Sequence, residues 1–455
     1  MKTIVKLFGK ESRSLYLEFL LLIILIVTMG LVGTSCFSPW TGETETGSIV
    51  IDLGGSARVA AWPPDNSGQI PPGLKFNITL TPYTGAAGSA NDPSANDPIE
   101  HTVTGAGRVS INDIPTGEWE IDIMAYFGEL TDELVLGAGS SPDGPFEVKQ
   151  GVMTPVRVEM TRSGTTFYLA GNATEWGDAV SDISGAAGNY CIILMGNISA
   201  DGTASGDSTF GSADSVTIIG NDHSITLTGG VAAGALLRIG ASQTVTVKNV
   251  KLIGQGASVK NDTALVYIDG GEFMMETGSL ISGNTSSTDS EGGGVHIENG
   301  TFIMNGGTIT GNTVENGGGV FSRNGTFNMN GGTISGNTGT FNAGGVLISG
   351  GIFTMTAGEI SGNKANKEDI DGAFQSMGNG GFGGGVYVEA GTFALQGGTV
   401  YGNESTTAEA QRDEAYDDGA ALYVFGGTAT YGSLGTSFGT APFGINDTIT
   451  EEGPP

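Results

Sequence analysis

Two acidic residues, Asp269 and Glu298, occupy equivalent positions in neighbouring copies of a repeated motif. If these copies stack as adjacent strands, the carboxyl groups can approach the separation of about 5–5.5 Å that is typical of retaining glycosidases. One carboxylate would then act as the nucleophile and the other as the acid. Side-by-side acids also arise on stacked sheets without catalysis, so the pair is a candidate for sugar-bond chemistry and we assign no catalytic residue.

A column of mostly aromatic residues precedes this acidic position by two residues. Strand alternation predicts that the side chains of both columns point outward. Rings can stack on the apolar faces of sugars while polar groups bond to hydroxyls, which predicts a binding face for a glycan or a protein. The alternative is that the rings pack on each other or under a loop. The predicted ligand-binding residues are Tyr267, His296, Phe321, Tyr387, Tyr423, Asp269, Glu298 and Arg323, and Leu347 falls in the same ring column.

The sequence contains none of the other common patterns for metal, phosphate or cofactor binding. The three histidines, His101, His223 and His296, are scattered, and Cys-x-x-Cys does not occur. The Gly-rich runs 292–294 and 383–385 lack the Lys and the following helix of a phosphate-binding loop. We therefore expect no metal and no cofactor, and we predict that these runs are turns.

A motif repeated five times from residue 271 onward must position most of these residues, and Tyr267 and Asp269 directly precede it. Each copy reads Phe-x-Met, then Ile-x-Gly-Asn or a close variant, then a variable segment and Gly-Gly-Val or a relative. The steps between successive Asn residues are 28, 25, 26 and 40 positions, and a period in the twenties is typical of a solenoid. Three short strands per copy predict a right-handed parallel β-helix with rungs about 4.8 Å apart.

The repeat predicts three internal columns and a ladder of Asn side chains at one turn. Stacked Asn side chains can bond to the copies above and below them. The predicted internal columns are Phe273, Phe302, Phe327, Phe353 and Phe393; Ile281, Ile309, Ile334, Ile360 and Val400; and Val295, Val320, Val346, Val386 and Leu422.

The flanking regions predict caps and a second domain. Residues 166–200 show helix-like spacing followed by a strand, which suits an N-terminal cap of a β-helix over 165–432, and 433–455 would form the C-terminal cap and tail. Residues 48–160 contain short alternating strands broken by turn residues, which predicts a small antiparallel β-sandwich. This stretch resembles prealbumin-like or immunoglobulin-like surface domains, which act as spacers or binding modules. The fold class is therefore all-β.

The N-terminus reads as an export signal. Residues 1–18 are basic, and 19–32 form an apolar run of 14 residues, which is shorter than the about 20 needed to span a bilayer. Gly33-Thr34-Ser35 before Cys36 resembles the lipobox of bacterial lipoproteins, which implies removal of 1–35, lipidation of Cys36 and a tether over 36–47. The alternatives are an uncleaved anchor or an ordinary signal peptide.

Charge excludes one class of partner. The chain has 18 Lys and Arg against 48 Asp and Glu, a net charge of −30. An acidic surface repels phosphate, so we expect no nucleic-acid partner.

The pairing of Ile-x-Gly-Asn with Gly-Gly-Val resembles the repeat of bacterial polymorphic outer-membrane proteins, within the wider pectin-lyase-like fold group. That resemblance implies a β-helical, adhesin-like binding or structural protein, held in the bacterial envelope by a lipid, at the outer membrane or cell surface. A glycan or a host or matrix protein would be its ligand. Because pectin-lyase-like folds also include polysaccharide lyases and glycoside hydrolases, a surface-tethered enzyme of that kind is the alternative.

Overall fold

The repeated motifs form parallel strands on the faces of a β-solenoid of about seven turns in the computed structural model of the chain. The structure describes residues 46–53, 74–83, 97–105, 107–127, 134–156, 158–162, 165–204, 206–230, 234–285, 291–366, 381–406, 421–432, 436–437, 443–445 and 449–450. The predicted signal peptide, lipidated Cys36 and residues 37–45 of the predicted tether lie outside these residues, and the last two tether residues begin the strand Thr46–Leu53.

We name the three faces after their internal columns: the Phe face, the Ile face and the Val face. Two long strands, Val266–Met275 and Val295–Met304, run from the Val face into the Phe face. The other parallel strands of the Phe face are Thr165–Ala170, Asn189–Leu194, Ser215–Ile219, Thr244–Lys248, Thr326–Met329, Ile352–Met355, Thr392–Leu395 and Thr428–Tyr431.

The other two faces repeat in the same register. The parallel strands of the Ile face are Ile198–Asp201, Ser224–Thr228, Lys251–Ile253, Leu280–Ser282, Thr308–Thr310, Thr333–Ser335, Glu359–Ser361 and Thr399–Tyr401. The remaining parallel strands of the Val face are Leu237–Ile239, Val320–Ser322, Val346–Ile348, Val386–Val388 and Leu422–Val424.

All three predicted internal columns are confirmed. Every side chain of the Phe, Ile and Val columns is fully buried in one continuous core. The rings of Phe302 and Phe327 stack with centroids 4.8 Å apart, and those of Phe327 and Phe353 with centroids 4.5 Å apart. This separation is about one rung of a parallel sheet, so the strand spacing itself places the rings in contact.

The predicted Asn ladder is also present. The Oδ1 atom of Asn337 accepts from the backbone N of Asn312 at 3.1 Å, and its Nδ2 donates to Oδ1 of Asn363 at 3.0 Å. The same Nδ2 donates to the carbonyl oxygen of Ile309 at 2.9 Å. Each internal Asn thereby satisfies buried backbone groups at the turn that follows the Ile face.

The later turns contain a short fourth sheet that we did not predict. The strands Thr313–Asn316, Thr338–Asn342, Lys364–Asn366 and Glu404–Thr406 follow the Asn ladder and pair in parallel. They open the segments that vary most between copies. The backbone register of these strands repeats from turn to turn, whereas their residues follow no common pattern.

Both ends of the solenoid are covered. A helix, α1 (Ala173–Ser184), buries Trp176, Ala179 and Ile183, and the side chain of Asn172 accepts from the first turn. At the other end, Thr436–Ser437, Phe443–Ile445 and Ile449–Thr450 pair antiparallel with Thr428–Tyr431, Leu422–Val424 and Thr399–Tyr401. The antiparallel strands occupy the hydrogen-bonding edge to which another rung would otherwise add.

The N-terminal unit consists of two small, largely antiparallel sheets. Thr46–Leu53 lies between Gly107–Pro115 and Met153–Val156, and its pairing with the latter is parallel. The second sheet contains Ile99–Thr104, Lys75–Pro82, Gly117–Phe127, Leu134–Ser140 and Glu159–Arg162, with Phe146–Val148 paired to Gly117–Phe127. Met153–Val156 belongs to the first sheet and Glu159–Arg162 to the second.

The core of this unit continues into the solenoid. Phe167, Cys191, Ile193 and Ile219 point outward from the first strands of the Phe face and belong to the same buried cluster as Trp119 and the rest of the sandwich core. The alternating neighbours of these residues enter the solenoid core instead. The first rungs are therefore buried on both sides. Among the described residues, no helix is long and apolar enough to cross a membrane.

Candidate functional site

Strand register places the predicted ring column along the outer side of the Val face. Tyr267 pairs with His296, His296 with Phe321, Phe321 with Leu347, Leu347 with Tyr387, and Tyr387 with Tyr423. The two neighbours of each residue within its strand enter the solenoid core. The predicted alternation is therefore correct, and the sequence places these six side chains in one line.

The line is buried rather than open to solvent. His296, Phe321, Leu347, Tyr387 and Tyr423 are 3–8% exposed, and only Tyr267 is partly exposed. The side chains contact each other: Tyr267 stacks on His296 with centroids 4.5 Å apart, and Tyr387 stacks on Tyr423 with centroids 5.6 Å apart. Most of this column therefore follows the alternative interpretation of the sequence, in which the rings pack on each other or under a loop.

Glycine-rich turns cover the column. Gly292, Gly317 and Gly383 each precede a ring residue by four positions and have φ of +73°, +71° and +68°. A Cβ atom at Gly317 would lie 3.0 Å from Cβ of Phe321 and 2.8 Å from the carbonyl oxygen of Val320. Gly317 can lie this close to Val320 and Phe321 because it carries no side chain.

The exception in this series has a local cause. Leu347 replaces a ring, and the residue four positions before it is Ala343, with φ of +54°. The methyl group of Ala343 is fully buried in one cluster with Phe321, Leu347, Tyr387 and Tyr423. This rung therefore accommodates a methyl group at the position that is glycine in the rungs of His296, Phe321 and Tyr387.

Arg238 extends the column by one rung and was missed by the sequence analysis. It pairs with Tyr267, and its guanidinium carbon lies 4.0 Å from the ring centroid of Tyr267. Its side chain is 8% exposed and its terminal nitrogen lies 3.7 Å from Oδ2 of Asp269. The run Leu237-Arg238-Ile239 has the same alternation as Val266-Tyr267-Ile268, which is the signal that could have identified it.

Glu298 is the centre of a polar network beside Tyr267 and His296. Its Oε2 atom lies 3.2 Å from the hydroxyl of Tyr267, 3.1 Å from Nε2 of His296 and 3.3 Å from Nε of Arg323. Arg323 also donates to the carboxylate of Glu291. The predicted polar column thus makes bonds within the protein, and the Arg323 side chain remains 46% exposed.

Both ring nitrogens of His296 face acceptors. Nδ1 lies 3.1 Å from the carbonyl oxygen of Glu291, and Nε2 faces the carboxylate of Glu298. Burial lowers the pKa of His296, and the hydrogen bonds to Glu291 and Glu298 offset only part of this effect. Burial, with a smaller contribution from Glu298, raises the pKa of Tyr267, which therefore keeps the proton that it donates.

Asp269 and Glu298 are not a registered pair. A register shift follows Ile268, and Asp269 pairs with Asn299 rather than with Glu298. Asp269 lies beside Arg238, and Glu298 lies beside Arg323 and His296. Each acid therefore has its own cationic partner.

The described residues hold no group of three or more His, Cys, Asp or Glu side chains that could bind a metal ion. Cys191 is a free thiol at the joint between sandwich and solenoid, and burial raises its pKa. A buried neutral thiol is unreactive.

Comparison with protein-family models, with curated proteins and with solved structures found no match.

Proposed function

We propose that this chain is a bacterial cell-surface lipoprotein whose β-solenoid forms a rigid shaft and acts as an adhesin-like binding or structural protein. In this proposal, lipid at Cys36 tethers the chain to the outer membrane or cell surface, and a glycan or a host or matrix protein is the ligand. The proposal keeps the resemblance to polymorphic outer-membrane protein repeats as its sequence basis.

Continuity of packing is the observation that carries this proposal. One core extends from α1 to Ile449 through every turn, and the sandwich core joins it at the first rungs of the Phe face. Ten strands stack in parallel on the Phe face, which corresponds to a length of about 43 Å at about 4.8 Å per step. A continuous core of this length suits a rigid shaft that holds a binding surface away from a membrane.

The geometry of the acidic residues favours a shaft over a polysaccharide-cleaving enzyme. A retaining glycosidase needs two carboxylates facing one sugar bond, and an inverting enzyme needs room for a water between them. Asp269 and Glu298 instead face Arg238 and Arg323, and the rings beside them are stacked on each other. In this proposal, the side chains of the ring column pack on each other and stiffen the Val face.

The tether is tested by expressing the full-length chain and Cys36→Ser in a Gram-negative bacterium. We expect fractionation to place the unmodified chain in the outer-membrane fraction, where protease added to intact cells cleaves it, and the variant in the soluble or inner-membrane fraction. Equal amounts of both chains in the outer-membrane fraction would contradict the lipid tether. Protection of the unmodified chain in intact cells, together with cleavage after lysis, would contradict surface display.

A further inference from the structure

Charge is distributed unevenly around the turns of the solenoid. Residues 301–313, 326–338, 352–363 and 392–403 run along the Phe face and the Ile face, and they contain a single charged residue, Glu359. The connecting segments 314–325, 364–391 and 404–427 contain all the other charged residues of 301–427. In a chain with a net charge of −30, this leaves the Phe face and the Ile face of these four rungs almost uncharged.

The outward side of the Phe face between Thr301 and Thr430 carries no charged side chain. We call it the uncharged face. Its outward positions carry only Thr, Asn, Gln, Ile and Ala side chains on five successive rungs. Ile352, at 49% exposure, is an exposed apolar side chain among hydroxyl and amide groups.

Hydrogen bonds between rungs hold the exposed amides of this face in place. Nδ2 of Asn305 donates to Glu276 at 2.8 Å, and Nδ2 of Asn330 donates to Oδ1 of Asn305 at 3.0 Å. The hydroxyl of Thr356 lies 3.0 Å from Oδ1 of Asn330. Each amide has two N–H groups and this ladder uses one of them, so Asn305 and Asn330 each present a second N–H group at a fixed position.

The dimensions favour a polymer chain over a second copy of the protein. Five rungs and four residues per strand give a face of about 19 Å by about 13 Å, or about 250 Å². A stable protein pair buries about 800 Å² on each partner. A single polysaccharide chain needs less area, and its alternation of hydroxyl edges and apolar C–H surface matches the mixture of amides, hydroxyls and Ile352.

We infer that the uncharged face binds an uncharged polysaccharide chain lying along the stacking direction of the rungs. Burying a charge without a partner is costly, so a face that contacts a neutral polymer over several rungs is best built without charges. Acidic polymers are disfavoured by the negative charge of the rest of the chain. This inference rests on the proposed binding role and moves the binding surface from the ring column to the Phe face.

The test uses the full-length chain in detergent and the double variant Asn328→Lys/Thr354→Glu. These two positions pair across adjacent rungs at the centre of the face, so the new side chains can form an ion pair and the net charge is unchanged. The matched control is Lys364→Thr/Glu404→Thr, which removes an exposed ion pair from the fourth sheet and also leaves the net charge unchanged. Retention is measured on insoluble cellulose, chitin and mannan, and on alginate as an acidic comparison.

We expect saturable retention on at least one uncharged polymer, a loss of affinity of about tenfold or more in Asn328→Lys/Thr354→Glu, and no change in the control. Three results would overturn the inference. They are no retention of the unmodified chain on any uncharged polymer, retention of Asn328→Lys/Thr354→Glu equal to that of the control variant, or retention on alginate alone. Each of these results leaves the lipid tether untouched, because the Cys36→Ser fractionation tests that separately. Circular dichroism of the variants confirms that a loss of retention is not a loss of fold.

Discussion

At the scale of single residues, the Val face depends on positions where a side chain is excluded. Gly317 adopts φ of +71° directly over Phe321, whereas Gly311 adopts φ of +65° and a Cβ atom added there would meet no atom within 4 Å. The two glycines share the backbone conformation and differ in what lies beside them. Comparing them separates backbone strain from coverage of the ring column.

We predict that Gly317→Ala destabilises the protein by about 2–4 kcal/mol and Gly311→Ala by about 1 kcal/mol. Both variants carry the strain of a left-handed residue, but only the first forces the turn away from Val320 and Phe321. Urea unfolding followed by tyrosine fluorescence measures the difference. Equal losses of stability would show that the turn does not rest on the ring.

The buried His296 gives a pH dependence of known sign. Its folded-state pKa lies below the ordinary value, so the unfolded chain binds the proton more readily than the folded chain. Stability from this residue is complete above the unfolded pKa of about 6.5 and is lost as the pH falls below that value. The groups that face it are Tyr267, Glu291, Glu298 and, through Glu298, Arg323.

We predict that His296→Phe loses less stability than the unmodified chain on acidification from about pH 7.5 to about pH 5. A Phe ring preserves the stack between Tyr267 and Phe321 but has no proton to gain. Thermal unfolding at both pH values gives the comparison. If the unmodified chain instead gained stability relative to the variant, the two acceptors at His296 would outweigh its burial.

At the scale of the element, the repeat unit explains what the sequence could and could not predict. The internal columns were predictable because Phe273, Ile281 and Val295 recur with fixed spacing and each strand alternates in and out. The burial of the ring column was not, because coverage depends on the path of the turn at Gly317 and Gly383. The Asp269 register was missed because a bulge after Ile268 leaves no mark in the sequence.

The Asn ladder satisfies the turn after the Ile face on the five repeated rungs, and its first member differs from its middle one. Asn337 accepts two bonds from Asn312 and donates to Ile309 and Asn363. Asn284, which begins the ladder, donates to Thr263 and Gly293, but its Oδ1 is a buried acceptor without a hydrogen-bond partner among the described residues. The first rung of the Asn ladder therefore carries an unsatisfied carbonyl oxygen, whereas Oδ1 of each later Asn accepts a hydrogen bond.

We predict that Asn337→Ala costs about 4 kcal/mol and Asn284→Ala about 2 kcal/mol, because the first leaves buried partners unsatisfied on both neighbouring rungs. Hydrogen exchange of the peptides covering 309–314 and 281–285 reports the local opening in each variant. A cost for Asn284→Ala as large as that for Asn337→Ala would mean that Asn284 Oδ1 has a partner, such as water, that makes it equivalent to the others.

At the scale of the whole molecule, the sandwich and the solenoid share a core rather than a linker. Ile193 and Cys191 lie on the second rung of the Phe face and are fully buried in the cluster that contains Trp119. On later rungs the same side of the Phe face is uncharged and open to solvent, as at Ile303 and Ile352. One sheet therefore serves first as an internal joint and then as the proposed binding surface.

This arrangement predicts that unfolding of the two units is coupled. Ile193→Asn places an amide in the shared core and should cost about 3 kcal/mol, and it should split the calorimetric transition into a sandwich step and a solenoid step.

Ile303→Asn is the control, since it makes the same change at a partly exposed outward position on the same face, and it should change stability by less than about 1 kcal/mol. Repeat solenoids can unfold gradually through nearest-neighbour steps, so the total heat absorbed is followed beside the fluorescence of Trp119, in a Trp40→Phe/Trp62→Phe/Trp176→Phe background that leaves Trp119 as the single Trp. If Trp119 and the solenoid already unfold at different temperatures in the unmodified chain, the shared core transmits no stability, and the shaft begins at α1 rather than at the tether. If they unfold together and separate only in Ile193→Asn, the apolar joint on the first rungs is what makes the anchor-side domain and the solenoid one mechanical unit.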